Sequence, residues 1–516
     1  MDPAVYFRIV LLMLLAISAL QPFVSAEGSS DGGAQQIVWP DTLAGHWAKG
    51  FFQAYNTDGD NALRGFIKER YSAPYLSEHP LEAEVAQFVM ARRIMGKWPV
   101  HAVRAEGDFV IYVTTRSERA GWMDIRIVLF PEPPHDLDEM RPLQRAEPTE
   151  TTPKNYDDWK NLSELVKRVR QDAQVPALAV AVVRGGKIVD KAVIGVRRVD
   201  GPDPVQTDDR FHLASCTKSW TATMIAKLVE NGDMRWDMTI GEVLPDVPMR
   251  AEYQTVTVEQ LLQMRGGVPS LPTSGEFARG VPSIGARSPL EARTALVRQV
   301  LNEQAAALGE NAYSNAGYVV AGYMAERAAK RSWEELMRTL VFEPLGLRST
   351  GIGWPATRDR PNQPYGHLGM PPDVSVSERG ESVVGGDINY IGPAGNVHCS
   401  IEDFARFAAF HLQGLRGHDG LLKAATVRHL HAPPKDIDSD YACGWHVGKT
   451  DEGEAMHWHG GGSGLFVAHV TLYPDNNLAI VMATNRFASV LPYLTKMRDA
   501  IYRRMKQAPC SSSVGG

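Results

Sequence analysis

Two runs of β-branched and small apolar residues, at 178–196 and 466–484, lie far apart in the later part of this 516-residue chain. Each reads as a pair of strands broken by a turn. Gly185-Gly186 divides the first run, where glycine supplies the positive φ that short hairpin turns require. Pro474-Asp475-Asn476-Asn477 divides the second, and these are residue types that favour turns. A helix is expected over 159–169, before the first pair, and another over 492–505, after the second. The residues between read as helices and loops. Strands at both ends of a domain with helices in its middle predict an α+β fold. Its core is one antiparallel sheet assembled from both ends of the domain, with a helical insertion. This domain is placed at 156–507.

A smaller α+β domain is expected ahead of it, over 38–143. Phe51, Phe52 and Tyr55, then Leu63, Phe66 and Ile67, mark two helices, and 81–95 a third. Strands follow at 100–105, 109–115 and 122–130. Asp58-Gly59-Asp60 lacks the ligand spacing of a calcium loop and reads as the N-cap of the second helix. Residues 144–155, with Pro148 and Pro153 among Thr and Glu, have the composition of a linker. Residues 508–516 read as a disordered Ser/Gly tail. At the other end, Arg8, an apolar run over 9–20 and Val24-Ser25-Ala26 read as a signal peptide over 1–26. The expectation is a secreted or periplasmic protein, with membrane contact only if that segment stays uncleaved.

A hydrophobic fraction of 44%, a charged fraction of 22% and a formal net charge of −6 fit a globular protein whose partner is not nucleic acid. Four cysteines in so long a chain do not make a disulfide scaffold. Cys216 reads as a small buried filler, whereas Cys399 and Cys443 are free to pair or not. No tight Cys/His spacing suggests a metal, and no cofactor is called for.

Ser215-Cys216-Thr217-Lys218 opens a helix over 220–230 that ends at Asn231-Gly232. Three residues apart on a helix brings both side chains to one face. A serine hydroxyl becomes a nucleophile only when a nearby group takes its proton. Alone, the same four residues also describe an N-cap serine beside a solvated lysine. Downstream stand Tyr313-Ser314-Asn315, readable as a turn at a helix start, and His459-Gly460-Gly461-Gly462, readable as a glycine-rich turn.

Together, in this order, they resemble a known family. FHLASCTKSWT at 211–221, Tyr313-x-Asn315 and His459-Gly460-Gly461 resemble the motifs of the class C β-lactamase, DD-peptidase and esterase superfamily. VTVEQLLQMRGGVP, FEPLGLRSTGIG and Tyr441-Ala442-Cys443-Gly444-Trp445 resemble its framework, and the likeness runs over about 159–505. Residues 393–414 add a capping box at Ser400 and Asp403. The resemblance implies that Ser215 attacks an acyl carbonyl, and that Lys218 holds positive charge near Tyr313 and lowers its pKa. Lys218 or Tyr313 takes the first proton. Asn315, His459, Gly460 and Gly461 would bind substrate, and the N–H groups of Ser215 and Gly462 would form the oxyanion hole. Class C β-lactamases carry Lys-Thr-Gly where this chain has His459-Gly460-Gly461. A neutral histidine offers a donor where lysine offers a cation, which favours an ester, amide or D-amino-acid peptide substrate over a β-lactam. The alternatives are a true β-lactamase or DD-carboxypeptidase, and a non-catalytic protein that binds peptidoglycan fragments. The partner is in each case a small-molecule or peptide-like compound.

Overall fold

The computed structural model describes residues 37–507 except 79–80, 118–120, 145–154, 271–287, 306–307, Arg358, 369–374, 377–387 and 488–489. The signal-peptide segment, the tail and nearly all of the linker therefore lie outside the described residues. The described residues form two compact units, one running to Gln144 and including Ser375, the other made of the remaining residues from Asn155 onward.

Among the described residues of the first unit, four helices precede a four-stranded antiparallel sheet. The helices are α1 (Leu43–Asn56), α2 (Asn61–Arg70), α3 (Ala73–Glu78) and α4 (Leu81–Met95). The strands run in sheet order β1 (Val100–Ala105), β2 (Val110–Ser117), β3 (Gly121–Leu129) and β4 (Leu137–Gln144). Trp47, Phe51, Phe52 and Tyr55 share one face of α1 and bury against Ile111, Val113, Ile125 and Ile127 of the sheet. Asp60 does stand at the N-cap of α2, yet its side chain makes no capping bond. Its carboxylate accepts instead from Arg92 at 2.8 Å, because a guanidinium is a stronger partner than a helix N–H.

The second unit is built on a six-stranded antiparallel sheet. Along the chain come α5 (Leu162–Asp172), β5 (Ala177–Arg184), β6 (Lys187–Gly195), α6 (Thr217–Asn231), α7 (Pro289–Val300), α8 (Asn315–Ala329) and α9 (Ile401–Leu415). After these come β7 (His446–Lys449), β8 (Ala455–Gly462), β9 (Val467–Tyr473), β10 (Leu478–Thr484) and α10 (Leu491–Gln507). The sheet order is β7-β8-β9-β10-β5-β6, so the two ends of the unit meet where β10 pairs with β5.

The pattern of the two central strands explains the layers. Leu178, Val180, Val182, Leu478, Ile480 and Met482 point one way into a core closed by α5 and α10. The alternate positions are small (Ala179, Ala181, Ala479, Ala483), and α9 packs over that other face. All seven residues of β10 are buried, as expected of a strand covered on both sides.

A short sheet of Arg210–His212, Val397–Ser400 and Gly351–Ile352 borders the site. Ser400 caps α9 by accepting from the Asp403 N–H, but the reciprocal half of the expected capping box is replaced. The Asp403 carboxylate accepts from the backbone and hydroxyl of Ser349, at 2.7 and 2.6 Å, and so ties the segment before Gly351 to α9. Cys399 and Cys443 are buried free thiols, as is Cys216. Among the described residues no helix is long and apolar enough to cross a membrane.

Candidate active site

Ser215 sits in a 3₁₀ turn, Ala214–Cys216, immediately before α6. Ala214 has φ +46°, a left-handed conformation costing on the order of 1–3 kcal/mol for a residue with a Cβ. The sharp turn leaves Ser215 half-buried at the head of a helix whose first ten residues are otherwise buried. Hydroxyls hold this helix in place. Thr217 Oγ1 accepts from the Val397 N–H at 3.0 Å, Thr221 Oγ1 donates to the Pro393 carbonyl at 2.8 Å, and Trp220 stacks on Phe407 of α9.

Around Ser215 the structure gathers the three expected reacting groups. Lys218 Nζ lies 3.1 Å from Ser215 Oγ, and the Tyr313 hydroxyl donates to the same oxygen at 2.8 Å. Lys218 also donates to Asn315 Oδ1 and to the Ala394 carbonyl, each at 2.8 Å. Asn315 thus faces the lysine from the first turn of α8, whose N-cap is Ser314. Ala394 belongs to the four-residue helix Gly392–Gly395. It acts through its backbone, so no side-chain signal in the sequence could have marked it.

Burial acts on the two proton-carrying groups in opposite directions. Lys218 has no exposed surface, and burial pushes its amine well below the usual lysine range. Burial pushes the Tyr313 phenol upward, and the bond to Ser215 only partly opposes that. Burial thus works against the charged form of each group.

The third motif lies within strand β8 rather than in a turn before a strand. Burial alternates along it, putting His457, His459 and Gly461 on one face. A Cβ on Gly461 would stand 2.2 Å from the Leu213 carbonyl and 3.0 Å from the Ser215 nitrogen, so only glycine lets the strand pass this close to the nucleophile. Cys216 Sγ, 3.4 Å from the His459 carbonyl, fills the space beside it. Gly460 is half-buried and looks the other way, toward His469. Gly462, half-buried, pairs with Val467 at the end of the strand.

His459 differs from its expected role. It was expected to offer a donor to substrate in the cleft, but it is only 2% exposed and both its nitrogens are engaged. Nδ1 lies 2.7 Å from the Gly460 carbonyl, which requires a proton there, so Nε2 accepts from the Tyr441 hydroxyl at 3.0 Å. Burial, then the nearby His446 and Lys218, hold its pKa well below the ordinary histidine value. The ring is an internal acceptor. Among the described residues no group of three or more His, Cys, Asp or Glu side chains is placed to hold a metal ion.

The model of the beta-lactamase family matches residues 162–500. The chain belongs to the beta-lactamase family. It is therefore a hydrolase of the β-lactamase and penicillin-binding group, with that group's α+β fold. It is 28% identical over 334 residues to penicillin-binding protein 4 of Amycolatopsis lactamdurans, covering 61% of this chain and 82% of that protein. It is 27% identical over 344 residues to the unguisins hydrolase ungD' of Aspergillus campestris, covering 63% of this chain and 61% of that relative. The class C beta-lactamase of Rhodobacter sphaeroides superposes with a TM-score of 0.52 at 17% identity, covering 66% of this chain and 97% of that one.

Proposed function

We propose that this β-lactamase-family hydrolase works through an acyl-enzyme on Ser215, with the neutral amine of Lys218 as the first proton acceptor. The observation that carries the reading is the coordination of Nζ. A neutral amine has two N–H bonds and one lone pair. Asn315 Oδ1 and the Ala394 carbonyl can only accept, so they occupy the two N–H bonds. The lone pair then faces Ser215 Oγ, whose other neighbour, Tyr313, donates to it.

The step follows. Ser215 Oγ attacks the acyl carbon as its proton passes to Lys218, while the N–H groups of Ser215 and Gly462 receive the carbonyl oxygen. Tyr313 hands its proton to the departing alcohol or amine and regains one from Lys218. Water then releases the acyl group by the same route in reverse. Because His459 is an uncharged internal acceptor, it gives no anchor to a substrate carboxylate. An uncharged ester, amide or D-amino-acid peptide is favoured over a β-lactam. The signal-peptide reading of residues 1–26 would put this reaction outside the cytoplasm.

A fluorophosphonate probe tests the nucleophile, and rates on a neutral aryl ester and a penicillin test the substrate class. The expected result is a single labelled residue, Ser215, and faster turnover of the ester. Failure to label, or label on another residue, would overturn the mechanism. A penicillin hydrolysed faster than the ester would favour the β-lactamase alternative.

A further inference from the structure

A second line of polar side chains crosses the same interior without reaching the cleft. His411 on α9, His431 just after the helix Ala424–Leu430, and His457 on β8 are all buried. Their rings make an unbroken row. Thr223 Oγ1 meets His411 Nε2, His411 Nδ1 meets His431 Nε2, and His431 Nδ1 meets His457 Nδ1, each at 3.0 Å. Trp445 stacks on His431, and Phe407 and Phe410 close on His411. One end of the row is on α6, which carries Lys218. The other is on β8, which carries Gly461.

The proton positions follow from the α6 end. The Thr223 hydroxyl donates its one proton to the Ser219 carbonyl at 2.8 Å, so it must accept from His411 Nε2–H. His411 Nδ1 is then bare and accepts from His431 Nε2–H. His431 Nδ1 is bare in turn and accepts from His457 Nδ1–H. The row is neutral, with each ring held in one tautomer. Burial keeps it so, drawing His411 down to about 3 and His457 to about 4. Asp475 is the carboxylate that acts on His457; among the described residues, burial alone shifts His411, and burial with the two neighbouring rings shifts His431.

One added proton can still be held without losing a bond. Entering at His457 Nε2, it makes that ring a cation that continues to donate from Nδ1. Passing the charge inward moves one proton across each N···N contact and reverses its polarity, ending on His411, which still donates to Thr223. A second added proton would set two N–H groups against each other.

We propose that His411, His431 and His457 form a single titrating unit, a pH-sensitive tie between α6 and β8 that takes up one shared proton. The row ends on a backbone carbonyl, so it delivers nothing to Ser215. Its charge state reaches the cleft only through the two elements it joins.

Long-range ¹⁵N–¹H spectra of the full chain labelled in histidine test this. Near neutral pH, His411 and His431 should appear as Nε2–H tautomers and His457 as Nδ1–H. On acidification the three rings should shift together over one step that takes up a single proton. Thr223→Val removes the acceptor that sets the polarity, and it should leave His411 and His431 as tautomer mixtures. An Nδ1–H tautomer at His411 in the unaltered protein would overturn the proposal. So would three separate titrations, or unfolding before any of the rings takes a proton.

Discussion

Lys218 and Arg293 are both basic side chains with no exposed surface in the same unit, and their surroundings are opposite. Arg293 on α7 is clasped by two carboxylates, Glu326 at 2.6 Å and Glu334 at 2.9 Å. Burial pulls its pKa down, but those carboxylates outweigh burial and hold the guanidinium charged. Lys218 meets an amide oxygen, a backbone carbonyl and a hydroxyl, none of them a carboxylate, and burial pushes its amine well below the usual lysine range. Burial is common to both. The countercharge decides between a structural ion and a base, because desolvating a cation is offset only by an anion at contact.

The largest effect should come from Ser215→Ala, which leaves the comparison intact and removes its purpose. Turnover of any ester substrate should fall to background while the circular dichroism spectrum is unchanged. Residual hydrolysis near the wild-type rate would mean that another group is the nucleophile.

Asn315→Asp attacks the comparison directly by giving Lys218 the carboxylate it lacks. A negative neighbour raises an amine's pKa, so Lys218 should be charged at neutral pH and lose its lone pair. The rate at pH 7 should drop roughly 10²–10⁴-fold and recover in part as the pH is raised. An unshifted pH–rate profile would count against a neutral lysine base.

Arg293→Met makes the converse change. It strands Glu326, whose side chain is 4% exposed, without its cation. Breaking such a buried pair costs about 3–5 kcal/mol, readable as a lower urea midpoint. The rate of Ser215 labelling in the protein that remains folded should not change.

The smallest effect is expected at His459. Replacing it with alanine removes the acceptor for the Tyr441 hydroxyl, and a lost internal hydrogen bond of about 1 kcal/mol predicts a fall in kcat/KM of roughly tenfold or less. Equal losses on a neutral ester and on a penicillin would show that the ring does not read substrate charge.

These residues were unequally legible from sequence. Strands β5, β9 and β10 could be read because β-branched runs between turn residues leave few other options. Ser215, Lys218 and Tyr313 could be read because their chemistry needs those side chains in that order. Strand β8 was hidden, since His459-Gly460-Gly461-Gly462 has the composition of a turn. The glycine at 461 instead answers to the Leu213 carbonyl, which a Cβ there would meet at 2.2 Å, a tertiary constraint that no local pattern carries. β4 was missed for a similar reason, because Pro142 and its charged neighbours mimic the start of a linker. The surroundings that act on the Lys218 amine were not legible, since they depend on which oxygens come from Asn315 and Ala394.

The pairing of β5 with β10, Leu178 opposite Thr484 and Arg184 opposite Leu478, also has a consequence for how the molecule is made. A ribosome releases the Ser215–Lys218 turn long before it releases Gly461. At about 5–20 residues per second, the two are separated by tens of seconds. Throughout that interval the nascent chain carries its nucleophile without the strand that shapes the cleft, and β5 has β6 on one edge and no partner on the other. Contacts so distant along the chain close slowly. The surroundings of Ser215 are therefore completed late, by a strand that follows it by more than two hundred residues.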